Sequence, residues 1–229
     1  MVRVSCIESR FTIHDSRTFY MKNLRILITA GPTREYLDPI RYISNDSSGR
    51  MGFALAAAAK KLGADVTLIS GPVSLPAPMG VKRIDITSAL DMRRNVMKLQ
   101  AKADVIVMAA AVSDFKAANF SKQKIKKQAG KNVQSIKLVR NPDILSELGR
   151  KKRPGQLLIG FAVETKNLEA YAHRKLKEKK CDWIVANKHT VIGEEKGHAI
   201  LFSKNGKRIV LPELPKDELA FVIFSHILD

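Results

Sequence analysis

The sequence predicts an α/β domain with a single open, mainly parallel Rossmann-like sheet and helices on both faces. Short apolar runs recur along the chain, each ended by Gly, Pro or a polar residue, which is typical of strands buried on both faces. Ala-rich or amphipathic stretches separate these runs, as crossover helices separate parallel strands. The 229 residues suffice for one such domain without disulfide support.

The first half of the chain is expected to supply four strands and two helices. Residues 24–30 form an apolar run that stops at Gly31, and residues 49–62 form an Ala-rich helix that stops at Gly63. The other elements are predicted as strands over 65–70, 82–86 and 104–110, and a helix capped by Thr87 or Ser88 that runs to about residue 100.

The second half continues the alternation and adds a C-terminal β-hairpin. Residues 135–140 alternate as an edge strand or hairpin arm. Asn141 then predicts a helix cap, with Pro142 in the first turn. The remaining elements are predicted as strands over 156–161 and 182–186, a helix over 168–180, a hairpin of 199–202 and 208–211 around Asn205-Gly206, and a helix from Pro215.

Composition and charge narrow the classes of partner. Forty basic and 22 acidic residues give a formal net charge of +18. This excess favours an anionic partner, either nucleic acid or phosphorylated small molecules, unless it only solvates the surface. The two cysteines lack metal-ligand spacing, which favours a reducing, cytoplasmic setting. No apolar run approaches the ~18 residues of a transmembrane helix, so no membrane span is expected.

The N-terminal segment 1–22 carries no secretory signal, and MKNLRILITAG from Met21 resembles a natural start. We therefore expect 1–22 to be a poorly ordered extension, followed by one domain over 23–229.

The loop after the first strand excludes the common nucleotide-binding motifs. A dinucleotide site needs G-x-G-x-x-G in this turn and an acid at the end of the second strand, but the sequence has Gly31-Pro32-Thr33 and Ser70-Gly71 there. A nicotinamide-dependent reductase is therefore a weak alternative. A P-loop NTPase is excluded because G-x-x-x-x-G-K-[ST] does not occur.

The same loop instead indicates an anion site. Gly31 opens it, and Ser47, Ser48 and Gly49 precede a helix start whose free N–H groups can surround a phosphate. An N-capped, closely packed helix would show the same pattern. The loop is too long for a simple connection, however, and it also carries Asn45 and two arginines, Arg34 and Arg41.

A basic flap is predicted after the strand that ends near residue 110. Asp114 follows that strand, where its carboxylate can accept hydrogen bonds from a nucleotide. Residues 115–142 contain eight Lys or Arg and no acid. Lys124, Lys126 and Lys127 can close over a triphosphate and neutralise a leaving pyrophosphate, although a solvated loop or a nucleic-acid patch would look similar. A basic nucleic-acid-binding α/β protein therefore remains an alternative.

Several motifs together resemble bacterial, CTP-dependent phosphopantothenoylcysteine synthetase. They follow the family order over residues 23–229 and read ITAGPTREYLDPIRYISNDSSGRMG, VTLISGPVSLPAP, AAAVSDFKA, KIKKQ, KLVRNPDIL, IGFAVET and IVAN. Bifunctional members of this family carry an N-terminal flavin-dependent decarboxylase. The expectation is a stand-alone synthetase, or a synthetase part separated from such a fusion. Two mild departures are Asp46, where histidine is common, and Arg50, where lysine is common.

The resemblance implies specific roles. Asn45 would hold the acyl-cytidylate while cysteine turns it over, and Lys124 would be the catalytic lysine of a mobile flap. Lys175 and Lys179, which share a helix face and taken alone would only be solvated, become nucleotide contacts. The full set of implied nucleotide contacts is Ala109, Ala110, Ala111, Asp114, Lys124, Pro142, Asp143, Ile144, Leu145, Phe161, Lys175 and Lys179.

The implied reaction joins 4′-phosphopantothenate and L-cysteine in coenzyme A biosynthesis. CTP activates the carboxylate as an acyl-cytidylate, and the amine of cysteine then displaces CMP. Mg²⁺ would arrive on the CTP triphosphate, since no dedicated metal ligand is evident. The resemblance also implies a homodimer and a separate decarboxylase as a further partner.

Overall fold

The computed structural model describes residues 21–126, 133–164, 167–188 and 194–228. The predicted extension, apart from residues 21 and 22, lies outside these ranges, and so does Lys127 of the predicted flap.

One eight-stranded sheet organises the described residues, and its six parallel strands have the Rossmann order. In spatial order the strands are β12 (Arg208–Pro215), β11 (Lys196–Ser203), β10 (Trp183–Lys188), β9 (Leu157–Glu164), β6 (Val105–Met108), β1 (Arg25–Ala30), β4 (Asp65–Ser70) and β5 (Lys82–Asp85). Parallel pairing joins the six neighbouring strands β10, β9, β6, β1, β4 and β5. Strands β11 and β12 form the predicted antiparallel C-terminal hairpin. Chain order reverses between β1 and β6, so a topological switch point lies there.

Five α-helices of the described residues cover both faces of this sheet. They are α1 (Arg50–Lys61), α2 (Ala89–Leu99), α3 (Ile144–Lys151), α4 (Leu168–Lys179) and α5 (Lys216–Ile227). Helices α1 and α5 pack on one face with Ile26 and Ile28 of β1, whereas α2, α3 and α4 pack on the other face with Leu27. Successive side chains of β1 point to opposite faces of the sheet, and because both sets include buried apolar residues, both faces are covered by helices. The predicted α/β fold class is confirmed.

Two small hairpins lie outside the large sheet. Strands β2 (Arg34–Tyr36) and β3 (Tyr42–Ser44) pair antiparallel within the long loop, where the sequence predicted no strands. Strands β7 (Phe115–Ala117) and β8 (Leu138–Arg140) also pair antiparallel. Residues 135–140, which were predicted as an edge strand or a hairpin arm, therefore contain a hairpin arm. Strand β2 contacts β7, so the two hairpins are neighbours.

The predicted cap of α3 is wrong. Asp143, not Asn141, caps this helix, and its carboxylate accepts a hydrogen bond from the Ser146 N–H at 2.8 Å. Pro142 therefore precedes the cap instead of lying in the first turn. The side chain of Asn141 is used elsewhere, because its Nδ2 donates to the carbonyl oxygen of Ser113 at 3.0 Å.

The other predicted elements are present with ends shifted by a few residues. Ser88 is the cap of α2, where it forms a capping box with Asp91. Within the part of the chain that the structure describes, no helix is both long and apolar enough to span a membrane.

Candidate active site

The backbone of Ala111 joins the ends of β1 and β6 at the switch point. Its N–H donates to the carbonyl oxygen of Gly31 at 2.9 Å, and its own carbonyl oxygen accepts from the Thr33 N–H at 3.2 Å. The side-chain Nδ2 of Asn45 donates to the same Ala111 oxygen at 3.0 Å. Three predicted site residues, Gly31, Asn45 and Ala111, are therefore brought together at one point.

Three glycines allow the loops around this point to approach closely. Gly31 and Gly49 both adopt left-handed backbone angles, with φ of 74° and 76°. A Cβ on Gly49 would lie 3.3 Å from the Cα of Gly31, so the long loop returns to its own starting point. A Cβ on Gly71, after β4, would lie only 1.7 Å from the carbonyl oxygen of Pro32.

Gly71→Ala should therefore destabilise the protein by about 1–3 kcal/mol, because the backbone at Pro32 has to move to admit the methyl group. Urea denaturation measures the change. Gly155→Ala is the comparison, since Gly155 has open space around it and, unlike Gly71, a left-handed φ, of 77°. This control should lose only the backbone contribution of roughly 1 kcal/mol. Equal stability of Gly71→Ala and the wild type would refute the close approach.

The start of α1 forms an electropositive cradle. Gly49 is the N-cap residue and no side chain caps the helix, while Ser47 accepts a long 3.4 Å hydrogen bond from the Gly49 N–H. Arg50 opens the helix. Burial and the nearby Arg50 lower the pKa of Lys216, so two cations lie in this region. Free N–H groups, hydroxyls and cations together suit a phosphate.

A pocket of about 560 Å³ lies at the carboxyl ends of β6 and β9. Its volume is within the range of small-molecule sites. The predicted residues among its walls are Ala110, Asp114, Pro142, Asp143, Ile144, Leu145, Phe161, Lys175 and Lys179. Ala109 and Ala111 flank it in the chain without lining it. Gly31, Asn45, Ser47, Ser48, Gly49 and Lys124 lie outside its walls.

The two predicted lysines of α4 reach across the pocket. Lys175 Nζ donates to the carbonyl oxygen of Phe161 at 2.7 Å, and Lys179 Nζ pairs with Asp143 at 2.6 Å. Burial opposes ionisation of Asp143, but hydrogen bonds from Lys179 and the Ser146 N–H keep its pKa below the usual value. The carboxylate thus links the start of α3 to α4.

Sequence reasoning did not assign several residues that line the pocket, namely Met108, Val112, Ser113, Phe115, Arg140, Tyr171, Arg174 and Glu178. Arg140 stands in the KLVRNPDIL motif, two residues before the predicted contact Pro142, and this position could have identified it. Arg174 stacks on Tyr171 with 4.6 Å between its Cζ and the ring centroid. Their i, i+3 spacing on one helix was the available signal.

Lys124 is exposed, and its segment is held against the turn between β2 and β3. The N–H of Ile125 donates to the carboxylate of Asp38 at 3.1 Å, and the Arg41 guanidinium donates to the Ile125 carbonyl oxygen. The N–H of Ser121 donates to the Leu37 carbonyl oxygen at 3.0 Å. Asp38 itself is fully buried and was not singled out from the sequence.

No group of three or more His, Cys, Asp or Glu that could hold a metal ion occurs among residues 21–126, 133–164, 167–188 and 194–228.

Comparisons with known proteins agree on one family. The family described as DNA/pantothenate metabolism flavoprotein C-terminal domain matches residues 21–229. The coenzyme A biosynthesis bifunctional protein CoaBC of Vibrio cholerae is 47% identical over 207 residues, which cover 89% of this chain and 52% of that protein. The CoaBC protein of Escherichia coli K12 is 50% identical over 175 residues, 76% of this chain and 43% of that protein. The chain thus spans about half the length of these curated relatives.

A solved structure of the C-terminal domain of CoaBC has the same fold. It superposes with a TM-score of 0.78 at 42% identity and covers 91% of this chain and 96% of that domain.

Proposed function

The chain belongs to the DNA/pantothenate metabolism flavoprotein C-terminal domain family, and we propose that it is a ligase that joins 4′-phosphopantothenate and L-cysteine in coenzyme A biosynthesis. CTP is the activating nucleotide, and CMP and pyrophosphate are released. The observation that carries the proposal is the junction at Ala111, which connects an anion cradle, a nucleotide-sized pocket and the side chain of Asn45.

The pocket between β6, β9 and α4 suits the nucleotide. Phe161 and Leu145 offer apolar surface to a base, and Asp114 can accept hydrogen bonds from ribose hydroxyls. Four cations line the pocket, Arg140, Arg174, Lys175 and Lys179. They can neutralise the triphosphate as negative charge develops on the leaving group. We assign two of the predicted groups of contacts to this ligand. Residues 109–111 follow the end of β6, and residues 142–145 span the start of α3.

The cradle at α1 suits the phosphate of 4′-phosphopantothenate. Ser47, Ser48 and Gly49 supply hydroxyl and N–H donors there, and Arg50 supplies charge. A substrate anchored at this end can extend toward Ala111 and present its carboxylate to the α-phosphate of CTP. Anchoring two substrates at fixed ends replaces a bimolecular encounter with positioning, which accelerates the first step.

The reaction follows in two steps. The carboxylate oxygen of 4′-phosphopantothenate attacks the α-phosphorus of CTP, and pyrophosphate leaves with its electron pair. The amine of cysteine then attacks the acyl carbon, a proton is lost to solvent, and CMP departs from the acyl-cytidylate. Asn45 contacts the acyl group, and Lys124 neutralises the pyrophosphate.

The donor set of the pocket fits Mg²⁺ that arrives on the triphosphate. Asp143 is engaged by Lys179, and the other carboxylates of the pocket, Asp114 and Glu178, could contact the ion or one of its waters. When bound, Mg²⁺ supplies charge neutralisation.

The two small hairpins support the proposal of a homodimer. They expose a group of large apolar side chains, Tyr36, Ile40, Tyr42, Phe120 and Leu138, with exposures of 37–60%. A second copy of the chain can cover this surface next to the Lys124 segment.

We further propose a decarboxylase as the protein that consumes the product, and the cytoplasm as the setting. Cys181, the described cysteine, is buried and forms no disulfide, which agrees with a reducing compartment.

The half-reaction without cysteine tests the function. Mixing the protein with CTP, Mg²⁺ and 4′-phosphopantothenate should release pyrophosphate and leave an acyl-cytidylate detectable by mass spectrometry. Adding cysteine should convert this species into the amide and CMP. ATP and UTP are the controls for nucleotide choice, and omission of 4′-phosphopantothenate is the control for simple hydrolysis. Absence of pyrophosphate release with every nucleotide would exclude the ligase function.

A further inference from the structure

The carboxylate of Asp38 is a buried junction with two separate functions, one for each oxygen. Its Oδ1 accepts the N–H groups of Ile40 and Arg41 at 2.9 and 2.8 Å and so closes the turn between β2 and β3. Its Oδ2 accepts the Ile125 N–H and the Arg41 guanidinium, whose Nη2 lies 2.7 Å away. The partners of Oδ1 thus all lie within the turn, whereas Oδ2 also reaches Ile125, which is 87 positions away.

The charge of this carboxylate is maintained despite full burial. Burial alone would raise the pKa of Asp38, but the backbone N–H groups and Arg41 together hold it well below its usual value. A buried carboxylate with its donors in place is costly to disturb, because removal of one partner leaves a charged or polar group unpaired.

The junction lies between the two proposed catalytic residues. Ile125 directly follows Lys124, and both its N–H and its carbonyl oxygen are held by the pair of Asp38 and Arg41. On the other side, β3 begins directly after Arg41 and ends directly before Asn45. The turn therefore connects the base of the flap to the strand that carries the acyl-contacting residue.

We propose that Asp38 is a positioning residue for the ligase reaction, which holds Lys124 in register with Asn45 through the N–H of Ile125. This proposal rests on the proposed function and deepens it. A misplacement of about 1 Å in a charged group costs up to a hundredfold in rate. Asp38 acts only through Lys124, so its contribution should vanish when Lys124 is absent.

Asp38→Asn separates the two oxygens. The amide can keep an oxygen for the Ile40 and Arg41 N–H groups, but its NH₂ then faces the donors of Ile125 and the Arg41 guanidinium. The two backbone hydrogen bonds that close the turn are kept, whereas the bonds of Oδ2 to the Ile125 N–H and to the Arg41 guanidinium are lost. Glu35→Gln is the matched control, because Glu35 is also a buried carboxylate on this hairpin, with the Ala89 N–H as its hydrogen-bond donor at 2.8 Å.

A double-mutant cycle tests the proposal. Pyrophosphate release is measured in the wild type, Asp38→Asn, Lys124→Gln and the double variant. Asp38→Asn should lower kcat by about tenfold to a hundredfold with little change in KM for CTP, and the double variant should be no slower than Lys124→Gln alone. Glu35→Gln should keep the wild-type rate. Multiplication of the two single effects in the double variant would overturn the proposal.

Hydrogen exchange in the unmodified protein gives a second measurement if Asp38→Asn does not fold. The Ile125 amide should be protected, and exchange at the rate of an open loop would refute the link. Failure of the proposed function is distinguishable, since the wild type itself would then release no pyrophosphate.

Discussion

Asn45→Asp should lower the rate of amide formation by about a hundredfold to a thousandfold, while the acyl-cytidylate still forms and accumulates. Asn45 Nδ2 donates to the carbonyl oxygen of Ala111 at 3.0 Å, which fixes the orientation of the amide. A carboxylate cannot donate this hydrogen bond and is repelled by the same oxygen. Its negative charge also favours the ammonium form of the incoming cysteine, which cannot attack.

A single-turnover experiment measures this effect by quantifying acyl-cytidylate and amide over time after cysteine is added. Asp46→Asn is the matched control, because it changes charge by one unit at the next, exposed position. This control should make product at the wild-type rate. The role assigned to Asn45 is wrong if its Asp variant forms amide as fast as the wild type.

Lys124→Gln should slow pyrophosphate release by about a thousandfold and should accumulate no intermediate. Glutamine keeps the polar end of the side chain but loses the positive charge. In the wild type this positive charge offsets the negative charge that develops on the leaving pyrophosphate. The defect therefore falls on the first step, whereas that of Asn45→Asp falls on the second.

A pyrophosphate assay without cysteine measures the first step directly. Lys122→Gln is the matched control, since Lys122 is exposed on the same segment and precedes the part held by Asp38. It should stay close to the wild-type rate. Equal losses in the two variants would mean that the flap acts only through its total charge.

Local patterns predicted most of the fold. Strand β4 lies at the predicted residues 65–70, because a buried parallel strand combines β-branched residues with a Gly-Pro stop. The cap of α3 was wrong for a specific reason. The predicted cap, Asn141, donates instead to the carbonyl oxygen of Ser113, which is 28 residues away, and Asp143 caps the helix. No short-range pattern contains that contact.

The candidate site was predictable only in part. The strand ends at Ala110, Asp114 and Phe161 follow from the general rule for parallel sheets, and the structure brings them to one pocket. The link from Asp38 to Ile125 could not be predicted, because the two residues belong to different loops whose contact depends on the packing of β2 against β7.

The meeting of Gly31 and Gly49 has a consequence for how the domain can change. Because Gly31 and Gly49 touch, the seventeen residues between them (32–48) form an excursion whose two ends are already joined at the βα turn. The entropy of closing such a loop varies only slowly with its length, by about 0.6 kcal/mol for each doubling. Changes in the length of the excursion away from Asp38, Arg41 and Asn45 are therefore compatible with an unchanged sheet.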